Sequence, residues 1–164
     1  PSAALALLVF CLLYTPCVAA IASIRRELAA HGSLVYTNVG VSMRPLIRQG
    51  RDLLVIRTCT DRLRKYDIPL YQRPSGQYVL HRIVRVLPDG YVLCGDNCTQ
   101  LEHVTDDQIL GVLTALERDG RTIPMTAPSM RLYGRLWVGL YPLRLPVLRL
   151  RDWLRRKKRR LQGG

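Results

Sequence analysis

The chain has 164 residues and a mass of 18.7 kDa, enough for one compact domain with appendages and too short for a two-lobed enzyme, since a domain usually takes about 100–200 residues. Apolar and Cys residues make up 48% of it, which supplies a core and argues against wholesale disorder. The net charge of +13 is unevenly placed: residues 131–160 carry eleven Arg/Lys against the single Asp152, while residues 1–130 hold fourteen basic and eleven acidic groups. A basic tail on a nearly balanced body reads as an anchor for anionic lipid or nucleic acid, not as a groove in the body itself.

In chain order, residues 1–24 carry no charged side chain. The run 3–24 is long enough to cross about 30 Å of hydrocarbon as a helix, so a transmembrane helix kinked at Pro16 is expected; a signal peptide or a buried core helix are the alternatives. Without an initiator Met, the chain is expected to have lost its start, so charges ahead of Pro1 do not enter the topology count. A short polar stretch, 25–32, follows. Residues 33–125 carry β signals: strands over 53–57 and 78–87, a turn at Pro88-Asp89-Gly90, and a returning strand at 91–94 predict a hairpin. Residues 109–116 and 122–125, joined across Arg118-Asp119-Gly120, predict another. From Met130 onward Leu132, Leu136, Trp137, Leu140 and Tyr141 recur at helical spacing, and Pro142 and Pro146 are expected to interrupt before a further helix over 147–161. Three parts result: a membrane segment (1–30), a β-domain (33–125) and a basic amphipathic tail (130–164). Cys11, Cys17, Cys59, Cys94 and Cys98 form an odd set without metal-ligand spacing; free thiols are expected, with a Cys94–Cys98 disulfide as the alternative.

The chemistry lies in the middle block. Ser42 stands in Gly40-Val41-Ser42-Met43-Arg44-Pro45, between a strand and a proline-directed bend, where Gly40 admits a close backbone and Pro45 stiffens the turn. His81 stands in Val79-Leu80-His81-Arg82-Ile83-Val84, and a neutral imidazole is well matched to taking a hydroxyl proton near neutral pH. Gly95-Asp96-Asn97 and Thr105-Asp106-Asp107 supply carboxylates, one of which could fix the imidazole's tautomer and stabilise the imidazolium. Each element alone is more often ordinary: a turn serine, a core histidine, an Asp-containing turn.

Together, in this order, these motifs resemble the type I signal peptidase family, in its histidine-using branch, over residues 38–116. The resemblance implies a mainly β fold, a rolled sheet of the signal peptidase and LexA-like kind, with an N-terminal transmembrane helix and a C-terminal basic amphipathic helical segment. It implies Ser42 as nucleophile, His81 as general base where bacterial relatives carry lysine, and Asp107 as the orienting acid with Asp106 as its rival. Gly40, Met43, Pro45, Arg82, Gly95, Asp96 and Asn97 would support the site. Acyl-enzyme hydrolysis of a peptide bond follows, with no metal or cofactor. The implied substrates are secretory preproteins bound as an extended strand, with small side chains at the first and third positions before the cut.

Two departures stand out: Gly40 occupies the place of a serine that helps bind the oxyanion in many bacterial members, leaving backbone N–H donors, and the usual Gly-Asp appears as Gly50-Arg51-Asp52, one residue longer. A soluble self-cleaving LexA-like peptidase is the nearest alternative, but that kind uses a Ser/Lys pair.

Residues 5–28, including Leu8-Val9-Phe10-Cys11-Leu12-Leu13-Tyr14-Thr15-Pro16-Cys17, resemble the C-terminal membrane region of ferrous iron transport protein B. A fusion of a transporter tail to a peptidase accounts for both matches; a non-catalytic transporter fragment is the alternative. The location expected is the plasma membrane, with the orientation left open: Arg25 and Arg26 favour a cytoplasmic domain by the positive-inside tendency, whereas secretory processing needs the opposite. Arg135, Arg144 and Arg149 make a second span costly, so the tail is expected to lie on anionic lipid, with a solvated or nucleic-acid-binding tail as the alternative. No nucleic acid is expected as a partner, because the charge is concentrated in the tail.

Overall fold

A computed structural model of the chain describes residues 24, 26–37 and 40–162. Among these residues nine strands run in order: β1 (Ser33–Thr37), β2 (Asp52–Arg57), β3 (Pro69–Gln72), β4 (Tyr78–Leu80), β5 (Arg82–Leu87), β6 (Gly90–Cys94), β7 (Leu101–Val104), β8 (Ile109–Arg118) and β9 (Arg121–Pro124). Two helices follow, α1 (Pro128–Gly139) and α2 (Tyr141–Gln162), and a helical segment over 26–31 precedes β1. The body is therefore mainly antiparallel β.

The ten-residue β8 organises the larger sheet. Along one edge residues 112–118 pair with β2; along the other, 109–112 pair with β3 and 115–118 with β9. One strand thus serves different partners along its length, and register shifts at Val55/Ile56 and Leu70/Tyr71 mark irregularities of the kind that bend a sheet. The resulting order is β1-β2-β8-β3-β4, with β9 beside β8. A smaller sheet, β5-β6-β7, is separate.

Two cores follow from the two sheets. Leu54, Ile56, Ile68, Leu70, Leu80, Leu113 and Leu116 fill the first, together with Met43, Leu46 and Ile47 from the loop that carries Ser42. Ile24 and Leu28 are buried in it too. The second gathers Leu63, Tyr71, Ile83, Tyr91, Leu93 and Val104.

The expected strand over 78–87 is divided. Leu80 pairs with Leu70 in the larger sheet and Arg82 pairs with Cys94 in the smaller one, and His81 is the residue between. Leu80, His81, Arg82 and Ile83 are all buried in succession, because the chain leaves one core and enters the other there. The hairpins β5-β6 and β8-β9 form as expected. Pro142 and Pro146 do not interrupt the tail: α2 runs through both. Pro142 falls in the first turn, where its missing N–H costs nothing. Tyr141 Oη and Arg144 tie that end of the helix to the body, at Thr99 O and Asp96 O, which holds it helical despite Pro146.

Cys59, Cys94 and Cys98 are free thiols; Cys94 Sγ points at the carbonyls of Cys98 and Gln100. Among the described residues no helix is long and apolar enough to cross a membrane. Apart from Ile24, the expected span 3–24 lies outside those residues, as do Cys11, Cys17 and all of the 5–28 match but its last few positions.

Candidate active site

Ser42 sits half-buried in a loop pinned on both sides. Met43 and Ile47 bury into the first core beneath it, while Asp52, buried at the start of β2, accepts hydrogen bonds from Arg48 N (2.8 Å) and Arg118 (2.7 and 2.8 Å). Gly50 and Arg51 form the turn that leads into β2. Gly40 opens the loop at φ +131°, a conformation reserved in practice for glycine. The expected close approach at Gly40 is not its reason: a side chain there would meet nothing within 4 Å. Pro45 is exposed.

The close approach occurs at Gly95. A methyl group on its Cα would lie 2.8 Å from Ser42 O, 2.9 Å from His81 Nε2 and 2.7 Å from Cys98 Sγ, distances no carbon tolerates. Glycine is therefore required where the serine loop, the imidazole and the Gly95-Asp96-Asn97 turn converge. Asn97 clasps the loop, its N–H donating to Ser42 O (2.7 Å) and its Nδ2 to Val41 O (3.0 Å). Ser42 and His81 both line one cleft of about 540 Å³, with Leu54, Ile56 and Leu70 among its apolar walls.

His81 is 3% exposed. Its Nδ1 faces Tyr71 Oη at 3.2 Å and Glu102 Oε1 at 3.3 Å, and Tyr71 Oη donates to Glu102 Oε2 at 2.9 Å. Proton accounting fixes the tautomer. Tyr71 has one hydrogen and gives it to Glu102, so toward Nδ1 both oxygens are acceptors and Nδ1 must carry the proton. Nε2, the atom that faces Gly95, is then the basic nitrogen. Burial holds the His81 pKa below its ordinary value; the Glu102 charge opposes that shift and Arg73 adds to it. Glu102 is itself held ionised below the usual carboxylate range, chiefly by hydrogen bonds from Arg73, which engages it through both Nε (2.8 Å) and Nη2.

The structure thus gives the position behind the imidazole to Glu102, and neither expected acid occupies it. Asp106 and Asp107 lie exposed on a short 3₁₀ turn, Asp106–Gln108. Asp106 comes within 4.0 Å of Arg62. Their neighbour Gln108 caps the turn against Thr105 and donates to Gln72 O, so this motif joins β7 to β8 instead of serving the imidazole. Glu102 escaped the sequence reading because β7 was not foreseen; register in β7, opposite Leu93, brings it inward. Tyr71 and Arg73 escaped likewise, since nothing marked β3 as the neighbour of β4.

Arg82 and Asp96 are a structural pair. Both are buried, joined by two hydrogen bonds of 2.9 and 2.8 Å, and Tyr133 Oη donates to the same carboxylate at 3.1 Å. The helices close over the Asp96 turn: Trp137 Nε1 and Arg144 donate to Asp96 O, and Arg151 to Asn97 Oδ1 and O. Arg151 orients the Asn97 amide so that its NH₂ faces Val41. Cys98 lines the cleft as a thiol, with burial pushing its pKa up. Among the described residues no cluster of His, Cys, Asp and Glu is arranged to hold a metal ion.

No protein-family model, curated protein or solved structure matches this chain.

Proposed function

We propose that the chain is a membrane-attached serine endopeptidase of the type I signal peptidase kind, built on that family's rolled β-sheet. Ser42 is the nucleophile, His81 the general base and Glu102 the acid that orients His81. The observation that carries this reading is the convergence at Gly95, where the serine loop and the basic nitrogen of a tautomerically fixed, buried histidine come together in one cleft.

The chemistry is acyl transfer. Ser42 Oγ attacks a peptide carbonyl as His81 Nε2 takes its proton; the imidazolium is stabilised by Glu102 through Nδ1–H and then protonates the leaving amine. Water repeats the cycle on the acyl-enzyme. β4, the terminal strand of the larger sheet's order, lines the cleft and runs directly into His81. An extended substrate laid alongside it would reach Ser42 with every second side chain facing the apolar wall of Leu54, Ile56 and Leu70. Small apolar residues before the cut suit that wall, as in secretory preproteins. A self-cleaving LexA-like enzyme fits less well, because a histidine stands where that kind uses lysine.

The test compares the full-length chain with its Ser42→Ala variant, in detergent, on a preprotein carrying small residues at the first and third positions before the cut. Cleavage at that bond is expected to vanish in the variant. Equal cleavage by both would remove Ser42 from the mechanism.

A further inference from the structure

Helices α1 and α2 carry an apolar row that the described residues leave exposed. Leu132, Leu136, Leu140, Leu143, Val147, Leu150 and Leu154 are exposed, each between 44% and 73%, and they recur every three or four residues, which places them on one helical face. Helical hydrogen bonds run through the junction, from Leu140 N to Leu136 O and from Arg144 N to Leu140 O, so the row continues from one helix to the next. The neighbouring face is the docked one: Tyr133, Trp137, Tyr141, Arg144 and Arg151 reach the 96–99 turn. On the other flank stand Arg131, Arg135 and Arg149, exposed, and Lys157 beside exposed Trp153. The sole acid of the two helices, Asp152, is taken by Arg151.

We propose that this row is a docking surface for an anionic lipid bilayer, on which α1 and α2 lie in the plane of the interface. A leucine row flanked by exposed arginines buries its apolar side chains among acyl chains while the guanidinium groups meet lipid phosphates. Charge selects this occupant over a second copy of the chain, because residues 131–160 carry eleven Arg/Lys against one Asp and two surfaces of like charge repel. The row also reaches the catalytic loop: Leu140, Leu143 and Val147 line an apolar groove of about 760 Å³ together with Val41 and Pro45. Docking therefore sets the residues flanking Ser42 against the bilayer surface, where a membrane-bound peptide emerges. The surface itself does not depend on the serine chemistry.

The test uses the full-length chain reconstituted in vesicles of phosphatidylcholine alone or mixed with phosphatidylglycerol, with brominated acyl chains. Trp153 is the reporter; its signal is separated from that of Trp137, which stacks on Tyr133, by a Trp153→Phe control. In anionic vesicles the bromines are expected to quench Trp153. Quenching should fall in pure phosphatidylcholine and on removal of Arg135 or Arg149, by roughly fivefold in docking equilibrium per charge. The Leu143→Glu/Val147→Glu variant should lose it, whereas Ser42→Ala should keep it, which separates this surface from the peptidase reading. Equal quenching in that double variant, no quenching in anionic vesicles, or burial of the row in a dimer or on duplex DNA would overturn the proposal.

Discussion

Glu102 takes hydrogen bonds from Arg73 and Tyr71 while facing the Nδ1–H of His81. A carboxylate so engaged fixes the imidazole firmly but lends it only part of its charge, which is why burial prevails and the His81 pKa stays low. The sign of the pH dependence follows. The neutral, basic imidazole persists as pH falls through the ordinary histidine value of 6.5, so the acidic limb of kcat/KM is expected below that value. Buried neutral histidine gives linkage of the same sign: its contribution to stability is present at higher pH and lost on acidification below about 6.5. Replacing Arg73 by Gln frees the Glu102 charge to act on the imidazole, and the limb should move to higher pH; an unmoved limb would separate Arg73 from the site's electrostatics. Glu102→Gln should lower kcat by about 10²- to 10⁴-fold, by analogy with loss of an orienting acid elsewhere. Asp107→Asn, at an exposed turn, should leave kcat within about twofold. The reverse ranking of these two variants would return the orienting role to the 105–107 motif.

At the scale of elements, the serine loop, the 95–97 turn and α2 form one clasped unit. Arg151 sets the Asn97 amide, and Asn97 holds the carbonyls of Val41 and Ser42. Asn97→Ala is expected to reduce kcat about 10- to 100-fold with little change in KM, since a loosened nucleophile loses alignment more than substrate affinity. Arg151→Ala should shift the same parameter in the same direction by less. A change confined to KM would assign Asn97 to substrate binding instead. Turn chemistry made the two hairpins legible in the sequence, through Pro88-Asp89-Gly90 and Asp119-Gly120, because those residues fix local geometry. The division at His81 was not legible: the run 78–87 has no turn residue, and only the presence of two cores tells the chain to change sheets. Local motifs single out Ser42 and His81, which line one cleft, whereas Glu102, Tyr71 and Arg73 reach the imidazole through pairings of β3 with β4 and β6 with β7, which no local signal announces. Pro146 misled for a related reason, since α2 is held by contacts to the body and not by its own propensity alone.

At the scale of the molecule, the Arg82–Asp96 pair joins the smaller sheet, the 95–97 turn and α1. Gly134 allows that helix to approach, since a methyl group there would lie 3.1 Å from Arg82 Nη1. Arg82→Ala leaves a buried carboxylate without its partner, and the expected cost is about 3–5 kcal/mol, read as a lowered denaturation midpoint. A loss under about 1 kcal/mol would mean the pair is wetter than its burial indicates. Ser42 and His81 are proposed to act as one catalytic unit. The most direct test is acid-quenched mass spectrometry of the full-length chain after mixing with an activated peptide ester bearing small residues. An acyl adduct is expected on the peptide containing Ser42, formed at least about 10³-fold more slowly in His81→Ala. An adduct that forms at the same rate without His81, or that maps to a residue other than Ser42, would contradict it.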